Sequence, residues 1–371
     1  MQINKNLIKN IDYSLILIIL LIFILGILII ASATNVPELG LTRQVKVQIA
    51  SFLLGILAMV GVMVIDYSTL GDFYKVIYVL SIALLLMVYI PGLGIVRGGA
   101  RSWIDLGIID FQTSEVAKLG FIVAYAKFLE NRFKEGNHLL DLGFSLVVLA
   151  PFIGLMLMQP DLGSGLVFVI IALAMIFYAG LSYKILLLGP GLMAVMVPFS
   201  LQFLKSHQLE RIEAFMNPND PTLPGNYHVL QSKITIGSGE VYGKGLFQGI
   251  YHRYQYLPVQ ETDFIFAVAV EELGFVGGAL IIFLYGILLL KIFFNGNRAK
   301  DRFGSLIVMG VLAMFFFQIF ENIGMTMGVM PVTGITLPFM SYGGSSIITS
   351  MMAIGLVQNV FMRRKRTSFF Y

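Results

Sequence analysis

The sequence contains no cysteine in its 371 residues. Disulfides, thiolate metal centres and cysteine nucleophiles are therefore excluded. Histidine is nearly as scarce: His138, His207, His228 and His252 are scattered, without metal-ligand spacing. Charge is scarce as well. Only 12% of residues are charged, where a soluble globular chain carries about 25%. By contrast, 57% are hydrophobic and the mean hydropathy is +0.85. Apolar runs of about 20 residues are those of membrane-spanning helices, not the roughly 10-residue alternation of barrel strands. The net charge of +4 does not imply nucleic acid, because most basic residues sit in short loops, where membrane topology explains them. No Ser-His-Asp arrangement and no P-loop appears, so serine hydrolysis and ATP use are unsupported.

Ten apolar windows are present, near 13–33, 46–66, 74–91, 112–131, 143–160, 162–181, 184–204, 263–293, 303–325 and 343–362. The expected fold is an all-α polytopic membrane protein of about ten spans, forming a single integral membrane domain over 1–371. The first window ends in Ala31-Ser32-Ala33, which resembles a signal-peptidase site, but its apolar stretch is too long for a signal h-region. Lysine and arginine set the orientation. Lys5, Lys9, Lys75, Lys127, Arg132, Lys134, Lys184, Lys291, Arg298, Lys300, Arg302 and the tail Arg363-Arg364-Lys365-Arg366 fall on one side. That side is predicted to be cytoplasmic, with both termini on it.

Two connections stand out. Residues 205–262, between spans seven and eight, form a long extracytoplasmic loop. It holds Asn217-Pro218 and Asp220-Pro221 turns, a Gly-rich stretch, and Tyr251, Tyr254 and Tyr256, a pattern suited to a partly ordered segment at headgroup level. Residues 328–346 are apolar yet studded with Gly and Pro. Non-helical backbone at membrane depth is tolerated only when buried in protein or lining a cavity, so this stretch reads as a re-entrant or pocket-lining loop.

Polar residues cluster on the predicted outer side. Asp263 opens the eighth span at Thr262-Asp263-Phe264-Ile265-Phe266; an acid there is costly, and either caps the helix or carries chemistry. Arg101 precedes Trp103, the one tryptophan. Glu115 and Lys118 lie three apart on a helix and can pair, but an ammonium well inside an apolar span is expensive unless it lines a cavity. Asp161 sits in the tight turn between spans five and six, where a helix cap is the plain explanation. Glu271 and Glu272 lie about two turns inside the eighth helix and read as structural. Cations beside carboxylates, next to lipid, suit a lipid-linked phosphate substrate, with a carboxylate as general base.

At these residues the chain resembles the SEDS family (shape, elongation, division and sporulation). The resemblance rests on Gly99-Ala100-Arg101-Ser102-Trp103-Ile104, on Phe111-Gln112-Thr113-Ser114-Glu115 with Lys118, and on Gln159-Pro160-Asp161-Leu162-Gly163. It continues through Gln231-Ser232-Lys233-Ile234-Thr235-Ile236-Gly237-Ser238-Gly239, Thr262 to Ala267 with Glu271-Glu272-Leu273-Gly274, and Pro331 to Ser346. Lys233, Lys244-Gly245 and Met330-Pro331-Val332-Thr333-Gly334 lean toward the RodA branch rather than FtsW. The chain departs from the usual family pattern at Gln112-Thr113-Ser114-Glu115, and its basic residue stands one step earlier than usual beside the Trp, at Arg101.

The resemblance implies a peptidoglycan glycosyltransferase of cell elongation, polymerising lipid II at the outer leaflet of the bacterial cytoplasmic membrane. It implies Asp263 as the catalytic residue and Glu115, Lys118 and Asp161 as residues of the substrate-binding cavity; Arg101, Lys233 and Ser341 are expected beside them as further substrate-binding residues. It further implies a class B penicillin-binding protein (a transpeptidase) and elongation-machinery membrane proteins as partners, with no nucleic acid. No organic cofactor is expected; a divalent cation, magnesium or manganese, is the one candidate, without a dedicated cage in the sequence. The competing class is a flippase or other transporter of lipid-linked precursors, since a helical bundle with intramembrane charge and a broken segment also describes one.

Overall fold

The computed structural model describes residues 9–34, 42–181 and 206–364, apart from 98, 106, 108, 109, 134–137, 219, 221, 222, 255 and 258. The predicted span 184–204 lies outside the described residues, as do Lys5, Lys134, Lys184, Lys365 and Arg366 and part of the Asp220-Pro221 turn.

Every other predicted span is a helix. In chain order these begin with α1 (Tyr13–Ala33), α2 (Arg43–Val64), the short α3 (Tyr67–Asp72) and α4 (Tyr74–Leu86), which runs into a 3₁₀ turn. Then come α5 (Thr113–Arg132), α6 (His138–Met158) and α7 (Leu162–Tyr178). The 206–262 segment contributes α8 (Ser206–Met216), α9 (Pro224–Ser238) and the short α10 (Ile250–Arg253). The chain finishes with α11 (Ile265–Asn297), α12 (Arg302–Thr326) and α13 (Gly344–Met362). Among the described residues six helices are long and apolar enough to cross a membrane, namely α1, α2, α6, α11, α12 and α13, and two shorter apolar helices accompany them. At 1.5 Å per residue α1 is roughly 30 Å long, the thickness of a hydrocarbon core. α5 is too polar for that class because it is an interior helix, with Glu115 and Lys118 buried inside the bundle.

The two ends of the described chain meet. Asn10 donates to the Met362 carbonyl at 3.3 Å, and Arg364 to the Asn10 carbonyl at 3.2 Å. Both ends therefore lie on one face, called here the terminal face. α1 runs from that face to the opposite one, where Gln260 donates to the Ala33 carbonyl at 2.6 Å. The 206–262 segment is anchored on this second, loop face.

Between α4 and α5 the chain forms a small antiparallel sheet, β1 (Gly94–Arg97), β2 (Ala100–Asp105) and β3 (Asp110–Gln112), in the order β1-β2-β3. The all-helical reading did not anticipate it. Its strands are too short and glycine-broken to show alternation in sequence. They hold the turn before α7, because the Arg101 amide donates to the Gln159 carbonyl at 3.0 Å.

Helix α11 is broken near its start. Gly274 stands at φ +70°, ψ −170°, and the backbone groups released there turn to the loop beside it. Phe275 N–H donates to Glu240 O and Val276 N–H to Val241 O, while Lys244 and Gly245 donate to the Glu271 and Glu272 carbonyls. The two glutamates complete the clasp. Glu271 accepts from the Ile250 and Tyr251 amides at 2.7 and 2.8 Å, and Glu272 from the Phe247 amide at 2.9 Å and from Ser32. These buried carboxylates organise the loop.

The predicted re-entrant stretch is non-helical from 327 to 343. It penetrates the bundle. A Cβ at Gly26 would lie 2.8 Å from the Met340 Cα and carbonyl, and Gly26 is about 10 Å along α1 from Ala33. Tyr285, well inside α11, donates to the Pro338 carbonyl at 2.6 Å. Gly at position 26 is what lets the two backbones approach so closely.

Candidate active site

Three successive carbonyls before α11 are gripped. Tyr342 N–H donates to Glu261 O at 2.8 Å. The Ser341 hydroxyl donates to Thr262 O at 2.6 Å and accepts from Leu337 N–H at 2.9 Å. Asn322 donates to Asp263 O at 3.0 Å and to Ile335 O at 2.8 Å. The re-entrant segment and α12 thus fix the Asp263 backbone. The N-cap position of α11 is Phe264, with no side-chain cap hydrogen bond. Asp263 is therefore not spent on capping.

Its carboxyl stands in an unusual environment. Oδ2 would be 3.6 Å from a Cβ at Gly334. Burial pushes the carboxyl up from an ordinary 3.8 to about 6, with the Thr262 hydroxyl and the Arg211 charge pulling it back and Glu261 adding to the rise. An aspartate so tuned is ionised at neutral pH and a stronger base than usual.

Arg211 connects Asp263 with Lys233. Its guanidinium donates to Val332 O at 3.4 Å, and with Asn226, Lys233 and Gly328 it lines a cavity of about 50 Å³. Lys233 is exposed on α9. Its Nζ lies so close to Gly328, at φ +72°, that a Cβ there would be 2.6 Å away. Two cations thus line one small cavity, and the charge of one of them, Arg211, reaches the Asp263 carboxyl.

The other predicted residues form a second group. Lys118 Nζ and Glu115 Oε1 pair at 2.6 Å, and both residues are buried. Asp161 caps α7, accepting from the Ser164 amide at 3.0 Å and hydroxyl at 2.9 Å, and also accepts from Gln112 at 3.3 Å. The Arg101 guanidinium lies 5.9 Å from the Tyr89 ring, its Nε buried without a hydrogen-bond partner. Among the described residues no hydrogen bond or ion pair joins Asp263 to Lys118, Asp161 or Arg101. The two groups meet through the non-helical 333–335 stretch. A Cβ at Gly163 would be 3.0 Å from Thr333 O, and Gly334 faces Asp263.

Sequence reasoning missed Arg211, Asn322 and Glu321. Glu321 is fully buried in α12. The signal for it, an acid inside the ninth apolar window, was the one that singled out Lys118. Arg211 carried no such signal, lying in a long polar stretch.

A second, larger feature is an apolar groove of about 290 Å³ between α2, α4, α5 and α13, lined by Ile65, Leu80, Leu84, Leu119 and Met352 among others.

A family model described as a cell cycle protein, the FtsW, RodA and SpoVE group, matches residues 12–366. Stage V sporulation protein E of Bacillus subtilis is 37% identical, over 94% of this chain and 96% of its own length. The peptidoglycan glycosyltransferase MrdB of Escherichia coli K12 is 34% identical, over 97% of this chain and 95% of its own. Among solved structures, a chain from work on polymerization and crosslinking by a peptidoglycan synthase complex superposes with a TM-score of 0.81 at 31% identity, covering 96% of this chain and 99% of that one.

Proposed function

The chain belongs to the FtsW, RodA and SpoVE family of cell cycle proteins, and from that premise we propose that it is a peptidoglycan glycosyltransferase that polymerises lipid II. The observation that carries the reading is Asp263: a carboxyl on a firmly held backbone, not used as a cap, raised to about 6, and within reach of the charge of Arg211, which shares a cavity with Lys233. The acceptor's GlcNAc 4-hydroxyl attacks the anomeric carbon of MurNAc on the lipid-linked donor, with inversion. Asp263 takes the hydroxyl proton, contributing roughly 10²–10⁴-fold in rate. Undecaprenyl diphosphate leaves, and Arg211 and Lys233 stabilise its charge. Lys118, oriented by Glu115, and Arg101 supply further positive charge on the other side of the 333–335 stretch. Asp161 shapes that wall, and Ser341 acts by fixing the Thr262–Asp263 backbone. The apolar groove suits an isoprenoid chain.

Among the described residues no three of His, Asp and Glu stand together as a metal cage. A magnesium or manganese ion in this reaction would come on the substrate diphosphate, as such ions usually do. Lys233 and the Met330-Pro331-Val332-Thr333-Gly334 run support a RodA-type role in elongation, with a class B penicillin-binding protein as partner. The site then faces outward from the cytoplasmic membrane, both termini inward.

The test is purified protein with labelled lipid II in detergent, where there is no membrane to cross. Polymer from wild type and none from Asp263→Asn is the expected result. Transport without polymer, seen only in sealed vesicles, would instead indicate a flippase.

A further inference from the structure

Behind Asp263, helix α12 carries a polar stripe that the reaction does not use. Gln318, Glu321 and Asn322 lie three and four residues apart, so they share one helix face. They are 2%, 0% and 0% exposed. Gln318 Oε1, both carboxyl oxygens of Glu321, Asn322 Oδ1 and the hydroxyl of Thr333 are buried with no hydrogen-bond partner in good geometry. Thr333 stands beside Glu321, and the Asp263 carboxylate is close enough to oppose its charge. Among the described residues no ion pair reaches Glu321.

These orphaned atoms share one character: they are oxygen acceptors. A buried carboxylate without a countercharge is strongly unfavourable. Among the described residues the nearby Arg211 bonds Val332 O and acts on Asp263, and no cation acts on Glu321, so the compensating charge comes from outside the chain. One carboxylate with two amide oxygens and a hydroxyl carries a single negative charge and only hard oxygen ligands, which balances a monovalent cation. The adjoining non-helical stretch adds unwound carbonyls, which coordinate sodium in other membrane proteins. We propose that Gln318, Glu321, Asn322 and Thr333 form a buried site for one sodium-sized cation. Through Asn322, which holds Asp263 O and Ile335 O, the bound ion braces the segment that positions the base.

The experiment uses full-length protein in detergent at constant ionic strength, with N-methylglucamine chloride replaced stepwise by sodium chloride. Thermal melting is read directly, without activity. Wild type should show a saturable rise of about 2–4 °C, and Glu321→Gln, which keeps the shape and removes the charge, should show none. Thr333→Val retains the carboxylate and removes one ligand; half-saturation should require about tenfold more sodium. This second variant decides the matter should Glu321→Gln not fold, since an unchanged midpoint there counts against the site. No rise in wild type, or an equal rise in Glu321→Gln, overturns the proposal. A pH dependence of the wild-type melting temperature that sodium does not alter and that Glu321→Gln removes makes the compensating charge on Glu321 a proton, and overturns it as well.

Discussion

Asp263 carries a trade between activity and stability. Its folded-state value of about 6 exceeds the 3.8 of an unperturbed aspartate. The stability contributed by that difference is complete below the unfolded value and disappears as pH rises through about 6. At pH 7.5 the ionised form therefore weakens the fold. Asp263→Asn should make no polymer yet melt higher than wild type at pH 7.5, the gap closing below pH 4; equal melting curves across that range would show that the carboxyl is not strained. Wild-type polymerisation, measured in sodium-free buffer, should fall off on the acid side with a midpoint near 6. The Glu115–Lys118 pair poses a different question. Removing one partner leaves a buried, uncompensated charge, which costs about 3–5 kcal/mol. Lys118→Met alone should melt far lower, whereas Glu115→Gln combined with Lys118→Met should recover most of the loss. If the double variant also recovers polymerisation, the pair is structural; the reading favoured here expects stability without polymer.

At the scale of elements, glycines separate contact from propensity. A Cβ at Gly26 would press on the Met340 backbone at 2.8 Å, and one at Gly274 would meet Gly243 N at 2.3 Å and Val241 O at 2.4 Å. Among the described residues nothing lies within 4 Å of a Cβ at Gly286, in the same helix as Gly274. Gly26→Ala should destabilise by about 1–3 kcal/mol through overpacking and lower polymerisation, because the displaced stretch holds the Glu261 and Thr262 carbonyls next to Asp263. Gly274→Ala should be worse, with positive φ added to the clash. Gly286→Ala should be neutral or stabilising by up to about 1 kcal/mol. Melting curves and polymer yield on the three variants check the order. The same elements show why parts of the molecule could be read from sequence. Helices α1, α2, α12 and α13 follow from apolar length alone, and the re-entrant stretch from Pro and Gly in an apolar setting. Asp263 and Lys118 were visible because charge in such a chain is conspicuous. The clasp of Glu271 and Glu272 on residues 247–251 was not, since it depends on a break at Gly274 that redirects backbone donors. Thr333 and Glu321 meet across a non-helical connection, where no periodicity predicts a partner.

The whole molecule has two faces, and the absence of cysteine makes them open to a clean test. The two ends of the described chain, Asp66 and Asp301 share one face: Arg363 pairs with Asp66 at 3.0 Å, and Tyr67 donates to Asp301 at 2.7 Å. The Asp263 group and the 206–262 segment hold the other. Among the described residues, Lys and Arg of the short connections are concentrated on the terminal face, and the proposed reading makes that face cytoplasmic under the positive-inside rule. The substrate argument requires the same orientation, since polymer must be made where the wall is. Tyr242, at the loop face, is 83% exposed, and Lys300, in the connection between α11 and α12, is exposed on the terminal face. Each can be replaced by cysteine in a background that contains none. In intact cells, or spheroplasts of an organism with an outer membrane, a membrane-impermeant maleimide should label Tyr242→Cys directly. Lys300→Cys should label only after the membrane is opened. The reverse pattern would put Asp263 on the cytoplasmic side, away from the growing wall, and the polymerase reading would fall even if the pocket chemistry were right. Labelling of both in sealed cells would mean that the two faces are not separated by a bilayer, and the spans assigned here would have to be withdrawn.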